Sequence, residues 1–464
     1  MSDVDTGPTV GHDTQQGHDL ACLGASGHAQ VLQERLGRLE TLDPVRRIGR
    51  VRQSIGLIVE SDGPPARIGE LCHIHADRCI PPIPAEVVGF RHNLLLLMHL
   101  GDTEQIRVNS EVTATGGPLQ LGVGPAMLGR VLDGLGRPLD DLGPVSAEQM
   151  YPVSASPPEP LSRRRITEPL PLGIRVLDGL LTCGQGQRLG IFAGSGVGKS
   201  TLMGMITRNT KADITVIALI GERGRELREF VELTLGAEGL SRSVVVAATS
   251  DQLPLVRLRG AYVATAIAEY FRDQGAEVLL MMDSVTRFAW AQREVGLAVG
   301  EPPTRGGYTP SVFAKLPQLL ERAGMGAVGS ITGLYTVLVD ADDMSEPVAD
   351  AVRSILDGHV VLSRDLASRN HYPPMDVLQS VSRLMPQIAS DAHLEVAGST
   401  RKLLADYAEA EDLINLGAYQ HGSNPDVDAA IRHRGALLEF LRQSDSERGE
   451  FADTVAALHR VTQG

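Results

Sequence analysis

One short run constrains this chain more than anything else in it. Gly194-Ser195-Gly196-Val197-Gly198-Lys199-Ser200, followed by Thr201, comes directly after the apolar segment Arg188–Ala193 and opens a helical pattern over Ser200–Arg208. A strand, a glycine-rich turn and a helix are therefore required in that order. Glycines let the backbone wrap closely enough for successive N–H groups to converge on an anion, and the helix N-terminus adds a favourable dipole. The pattern reads as a phosphate-binding loop, with Lys199 reaching the β- and γ-phosphates and Ser200 ligating Mg²⁺. Only four of the 43 basic residues are lysine, namely Lys199, Lys211, Lys315 and Lys402. A chance match is then roughly one in a hundred. The outer glycine of the usual pattern is Ala193, the smallest substitute, so the turn is expected to survive.

Around this loop the texture is that of a parallel α/β core. Apolar strands are expected at Arg188–Ala193, Ile214–Ile220, Ser243–Ala248, Glu277–Met282 and Ser330–Val339. Helical patterns intervene at Ser200–Arg208, Leu227–Leu235 and Leu258–Asp273. Strands apolar on both faces argue for a sheet covered on both sides. Upstream, short β-rich runs between Arg46 and Thr115, divided by Gly, Pro and Asp, predict a small barrel or sandwich. They include Ile55–Val59, Ala66–His75, Glu86–Phe90, Asn93–His99 and Glu111–Thr115. Residues 134–171 read as a Pro- and Gly-rich connector carrying the triplet Arg163-Arg164-Arg165. Past Pro386 the pattern is helical, and Ser444 to Glu447 is read as a capping box opening a last helix with Phe451, Val455 and Leu458. The expected domains are a mobile tail with a short helix (1–45), a β-barrel (46–116), the core (117–385) and a helical domain (386–464). Val31, Leu32, Leu36, Leu39 and Leu42 place that short helix, for which partner docking and plain packing are equally open.

Composition narrows the function classes. A net charge of −14 lacks the basic footprint of a phosphate-backbone binder. No apolar run approaches the length of a membrane span, and the polar, Asp-rich start has no signal-peptide core. A reducing compartment is the default for four cysteines in 464 residues. Cys72-His73-Ile74-His75 with Cys79 fits zinc spacing poorly and reads as a strand with Leu71, His73 and His75 on one face.

Two strand ends supply carboxylates. Leu280-Met281-Met282-Asp283 suits a magnesium-holding aspartate acting through the metal's water shell. Alone that signal is weak, since any strand ending at a helix cap can carry Asp. Ile220-Gly221-Glu222-Arg223-Gly224-Arg225-Glu226 puts Glu222 at the carboxyl edge of the sheet, where ligands of open α/β sheets bind. Glu222 can orient or deprotonate an attacking water, Arg225 can contact phosphate, and Glu226 can order the metal's waters. A surface loop of paired charges is the plain alternative.

Together these segments closely resemble the ATPases of type III protein export, relatives of the catalytic subunit of ATP synthase. The resemblance runs from Arg46 onward through GRVLDGLGRPLD (129–140), IFAGSGVGKST (191–201), LIGERGRELREF (219–230), the long stretch from Asp283 to Gly324, DDMSEPVADAVRSILDGHVVLSRDLA (342–367) and SVSR (380–383). It implies a RecA-like P-loop core, an N-terminal β-barrel and a C-terminal helical domain. It further implies ATP and Mg²⁺, a homohexamer with nucleotide at each interface, and Arg383 reaching a neighbour's γ-phosphate. Tyr372 lies in the segment that packs on adenine in these relatives, here stiffened by Pro373-Pro374. Arg287 is carried over as a phosphate-side or interface residue. The implied partners are a stator-like regulator on the N-terminal helix, a central stalk protein, export chaperones and a membrane export gate. The implied location is cytoplasmic, peripheral at the inner face of the membrane. The stretch from Asp412 to Ile431 looks more like flagellar members than injectisome members. A rotary-synthase subunit would carry an acidic loop where this chain has Leu416 to Ser423. A hexameric RNA translocase would want basic and aromatic residues in its N-terminal domain, and 46–115 has one aromatic, Phe90, and no lysine. A nucleotide-binding scaffold without catalysis is the remaining alternative.

Overall fold

The computed structural model describes residues 47–77, 80–339 and 343–463. The tail and helix expected before residue 46, and Cys79, lie outside the described residues.

Six antiparallel strands, β1 (Gly49–Ile55), β2 (Ile58–Ser61), β3 (Glu70–His75), β4 (Ile83–Arg91), β5 (Leu94–His99) and β6 (Glu111–Pro118), close into a barrel in the order β1-β2-β5-β4-β3-β6. The barrel alternative holds over the sandwich. Ile55–Val59, expected as one strand, is instead a hairpin turned at Gly56, whose φ of 57° suits glycine. Ala66–His75 is strand only from Glu70. Cys72 and Ile74 point into the barrel core and Leu71, His73 and His75 point outward. Burial pushes the Cys72 thiol up to about 12, the behaviour of an inert packing cysteine.

β7 (Gln120–Val123) pairs with β9 (Gln149–Pro152), and β8 (Val131–Asp133) edges the main sheet. The remaining strands are β10 (Arg188–Ala193), β11 (Ile214–Ile220), β12 (Ser243–Ala248), β13 (Glu277–Asp283), β14 (Gly324–Met325), β15 (Ser330–Leu338), β16 (Gly358–Leu362) and β17 (Met375–Ser382). The sheet runs β17-β16-β10-β15-β13-β11-β12-β8, parallel from β16 to β8, with β17 antiparallel at one edge and β14 paired to β15. Alternate residues feed two cores. Val216, Ala218 and Ile220 face one, and Ile217 and Leu219 join the P-loop helix residues Leu202, Met203 and Ile206 in the other.

The helices are α1 (Arg175–Leu180), α2 (Lys199–Asn209), α3 (Gly224–Glu229), α4 (Gly236–Ser241), α5 (Pro254–Asp273), α6 (Val285–Val299), α7 (Pro310–Leu320), α8 (Pro347–Ile355), α9 (Arg364–Ser368), α10 (Met385–Ile388), α11 (Asp391–Asn415), α12 (Pro425–Leu441) and α13 (Phe451–Gln463). A π-helical segment, Phe230–Leu235, joins α3 to α4, where the sequence predicts one regular helix. Gly204 on α2 makes room for it, since a Cβ there would come within 2.1 Å of the Thr234 methyl. Arg163 and Arg164 strap the connector to the carbonyls of Ala323, Gly326 and Val328.

The expected capping box is a correction. Ser444 and Glu447 form a turn of their own, with Glu447 N–H donating to the Ser444 carbonyl, and α13 starts at Phe451. The reason is tertiary, because the segment is bonded to the nucleotide-binding domain rather than to the helix after it.

Candidate active site

Parallel strands bring their carboxyl ends to one edge, so Ala193, Ile220 and Asp283 lie together although β15 separates β10 from β13. Ala193 is an ordinary strand residue paired with Leu338 and Leu362. No glycine is needed there. The left-handed turns fall at Gly196 (φ 77°) and at Gly198 (φ 100°), which caps α2.

At this edge Lys199 Nζ is 2.5 Å from Asp283 Oδ1 and 3.9 Å from Glu222 Oε1. Arg287, in the first turn of α6, places a guanidinium nitrogen 2.9 Å from Glu222 Oε2 and donates to the Gly221 carbonyl. Gly221, with φ of 71°, is where the chain turns out of β11, and a Cβ there would press on the Arg287 side chain at 2.9 Å. Asp283, 3% exposed, also accepts from Thr336 Oγ1 at 2.7 Å. Two carboxylates and two cations thus share one buried cluster. Burial pushes the Glu222 carboxyl up to about 7. Asp283 and a hydrogen bond that the protonated Glu222 carboxyl donates to Glu226 add to the rise, while Lys199 and Arg287 oppose it.

Gly194, Ser195, Gly196, Gly198, Lys199, Ser200, Thr201, Glu222, Glu226 and Arg287 all line one cleft of about 340 Å³, and Val197 is buried beneath the loop. Arg225 does not join them. Its side chain is 82% exposed and pairs with Glu229 at 3.6 Å, while Arg223, which the sequence reading passed over, lines the cleft. The Tyr372 ring lies against Gly198, where a Cβ would sit 3.7 Å from its edge. Arg383 is exposed at the opposite end of the sheet. β17 is antiparallel, with Met375 beside Leu362 near the loop and Ser382 beside Gly358, about 13 Å along the strand. Its own cleft is out of reach.

Thr336 was missed, although a threonine within the otherwise apolar and aromatic run 334–339 is a usable signal. Ser200, Asp283 and Glu226 offer the hard oxygen donors that suit Mg²⁺. No cluster of three or more His, Cys, Asp or Glu side chains able to cage a metal occurs among the described residues.

Known proteins place this geometry in a family. The nucleotide-binding domain of the ATP synthase alpha/beta family matches residues 173–382, the beta-barrel domain of that family matches 51–116, and the T3SS EscN ATPase C-terminal domain matches 389–460. The chain is 53% identical to the flagellum-specific ATP synthase of Bacillus subtilis, over 91% of this chain and 97% of that protein. It is 52% identical to a type 3 secretion system ATPase of Xanthomonas euvesicatoria, over 91% and 96%. Its fold superposes on the assembled ATPase EscN of enteropathogenic E. coli with a TM-score of 0.85 at 46% identity, covering 89% of this chain and 100% of EscN. EscN is also solved in complex with its central stalk EscO. This chain is therefore an ATPase of the type III protein export family, built on the nucleotide-binding domain of the ATP synthase alpha/beta family.

Proposed function

We propose that the chain hydrolyses MgATP at the interfaces of a homohexameric ring and so energises export of flagellar proteins. The observation that carries the chemistry is the cluster of Lys199, Glu222, Asp283 and Arg287 at the mouth of the phosphate-binding loop. The loop N–H groups of residues 194–200 and the Lys199 ammonium hold the triphosphate oxygens. Ser200, Asp283 and, through water, Glu226 would hold Mg²⁺, which would supply neutralisation of the triphosphate's charge. Glu222 takes the proton of the attacking water, Arg287 holds that carboxylate in place, and the Tyr372 ring stacks on the base.

Arg383 serves a neighbour. It lies beyond reach of its own cleft, and such arginine fingers typically raise turnover by about 10³–10⁵. The assembled state of EscN and its central stalk support a ring and a stalk partner here. A stator-like regulator, export chaperones and a membrane gate complete the set, at the inner face of the cytoplasmic membrane. None of the described helices is long and apolar enough to cross a membrane.

Flagellar export is favoured by the 53% identity to the Bacillus protein together with the 412–431 stretch. The injectisome reading is favoured by the nearly equal 52% identity to the Xanthomonas protein. Deleting the gene and assaying flagellin in the culture medium decides between them. Loss of secreted flagellin, restored by wild type and not by Glu222→Gln, is expected. Normal flagellation in the deletion strain would end the flagellar reading.

A further inference from the structure

The nine-residue turn between α12 and α13 is held by the nucleotide-binding domain. Arg208 and Asn209, at the end of the P-loop helix, donate to the carbonyls of Asp445 (2.9 Å) and Glu447 (3.3 Å). Lys211 pairs with Glu450 at 3.0 Å. At the start of the turn Gln443 is 4% exposed and uses both ends of its amide. Its Oε1 accepts from Arg175 N–H at 2.8 Å, and its Nε2 donates to the carbonyls of Gly173 (2.9 Å) and Glu447 (3.1 Å). With the side chain fixed on three sides, its backbone N–H donates to the Tyr372 carbonyl at 3.0 Å. The Tyr372 ring itself is 46% exposed and lies against Gly198.

We propose that Gln443 is a positioning residue for the nucleotide base: it fixes the backbone of Tyr372 so that the ring stands over the loop where a purine must stack. This rests on the reading of Tyr372 as the base-stacking residue. The geometry requires an amide. A carboxylate keeps the acceptor facing Arg175 N–H but turns an oxygen on two carbonyls, and an aliphatic residue supplies neither end. Through this link the C-terminal helices carry part of the base site, while the phosphate site, built on α2 and the strand ends, does not depend on it.

Steady-state kinetics of the full-length chain with Mg²⁺ test the proposal, using inorganic tripolyphosphate as a competitor that lacks a base. Gln443→Ala is expected to raise KM for ATP about tenfold, leaving kcat and the tripolyphosphate inhibition constant within about twofold. A general structural role would raise both constants together, and that result, or an unchanged KM, overturns the proposal. If Gln443→Ala does not yield folded protein, Gln443→Glu, of equal size, is expected to give the same split, and a wild-type KM for it overturns the proposal. Tyr372→Ala is the control. No split in Tyr372→Ala means the stacking role itself is wrong; a split in Tyr372→Ala with none in Gln443→Ala means only the positioning role is.

Discussion

Glu222 shows how a buried carboxylate can be both a cost and a tool. Its carboxyl sits at about 7, first through burial and then through Asp283 and Glu226. A protein base with that value is half charged near neutrality, and kcat/KM reports the free enzyme's base. We therefore expect kcat/KM for MgATP to fall about tenfold per pH unit below about 7, while Glu222→Gln abolishes phosphate release at every pH with ATP binding retained. A profile flat from pH 5.5 to 8 would rule Glu222 out as the titrating base. The same shift acts on stability. Between about 4.5 and 7 the folded chain binds a proton that the unfolded chain releases, so stability falls as pH rises through that window. Glu222→Gln removes that loss. Its melting temperature should exceed the wild type's at pH 8 and by much less at pH 5, and an equal offset at both would contradict the link.

At the scale of elements, stability rests on buried bonds between segments distant in sequence. Arg322, just after α7, is fully buried, with two nitrogens on the Glu269 carboxylate of α5 (2.8 and 2.5 Å) and a third on the Val153 carbonyl (2.8 Å). Removing one partner strands the other's charge, so Arg322→Ala should cost about 3–5 kcal/mol in denaturant unfolding. A loss under about 1 kcal/mol would mean water reaches Glu269. Such pairings also mark where the sequence stops being legible. The loop at 194–200 and its flanking strand and helix could be read directly because their signals are local. The strands ending in Asp283 and Ile220 were equally plain, being short apolar runs with a polar stop. Thr336 on Asp283, Arg287 on Glu222 and Gln443 behind Tyr372 could not be paired from sequence. Each depends on which strands and turns become neighbours, as when β15 inserts between β10 and β13. The π-helical turn after α3 was hidden for the same reason, since Gly204 and Thr234 meet only in the folded chain.

For the whole molecule, the position of Arg383 divides each proposed site between two copies. In the proposed ring one copy supplies the loop with Lys199 and Glu222, and the next supplies the arginine from the far edge of its sheet. A head-to-tail ring closes such sites all the way round. The direct measurement is ATPase activity of rings assembled from Arg383→Ala and Lys199→Ala chains, each inactive alone. In an equal mixture about a quarter of interfaces combine an intact loop with an intact arginine, so activity should recover toward a quarter of wild type. Mixed rings recovered through tags on both chains, yet silent at every ratio, would contradict a site shared between neighbours.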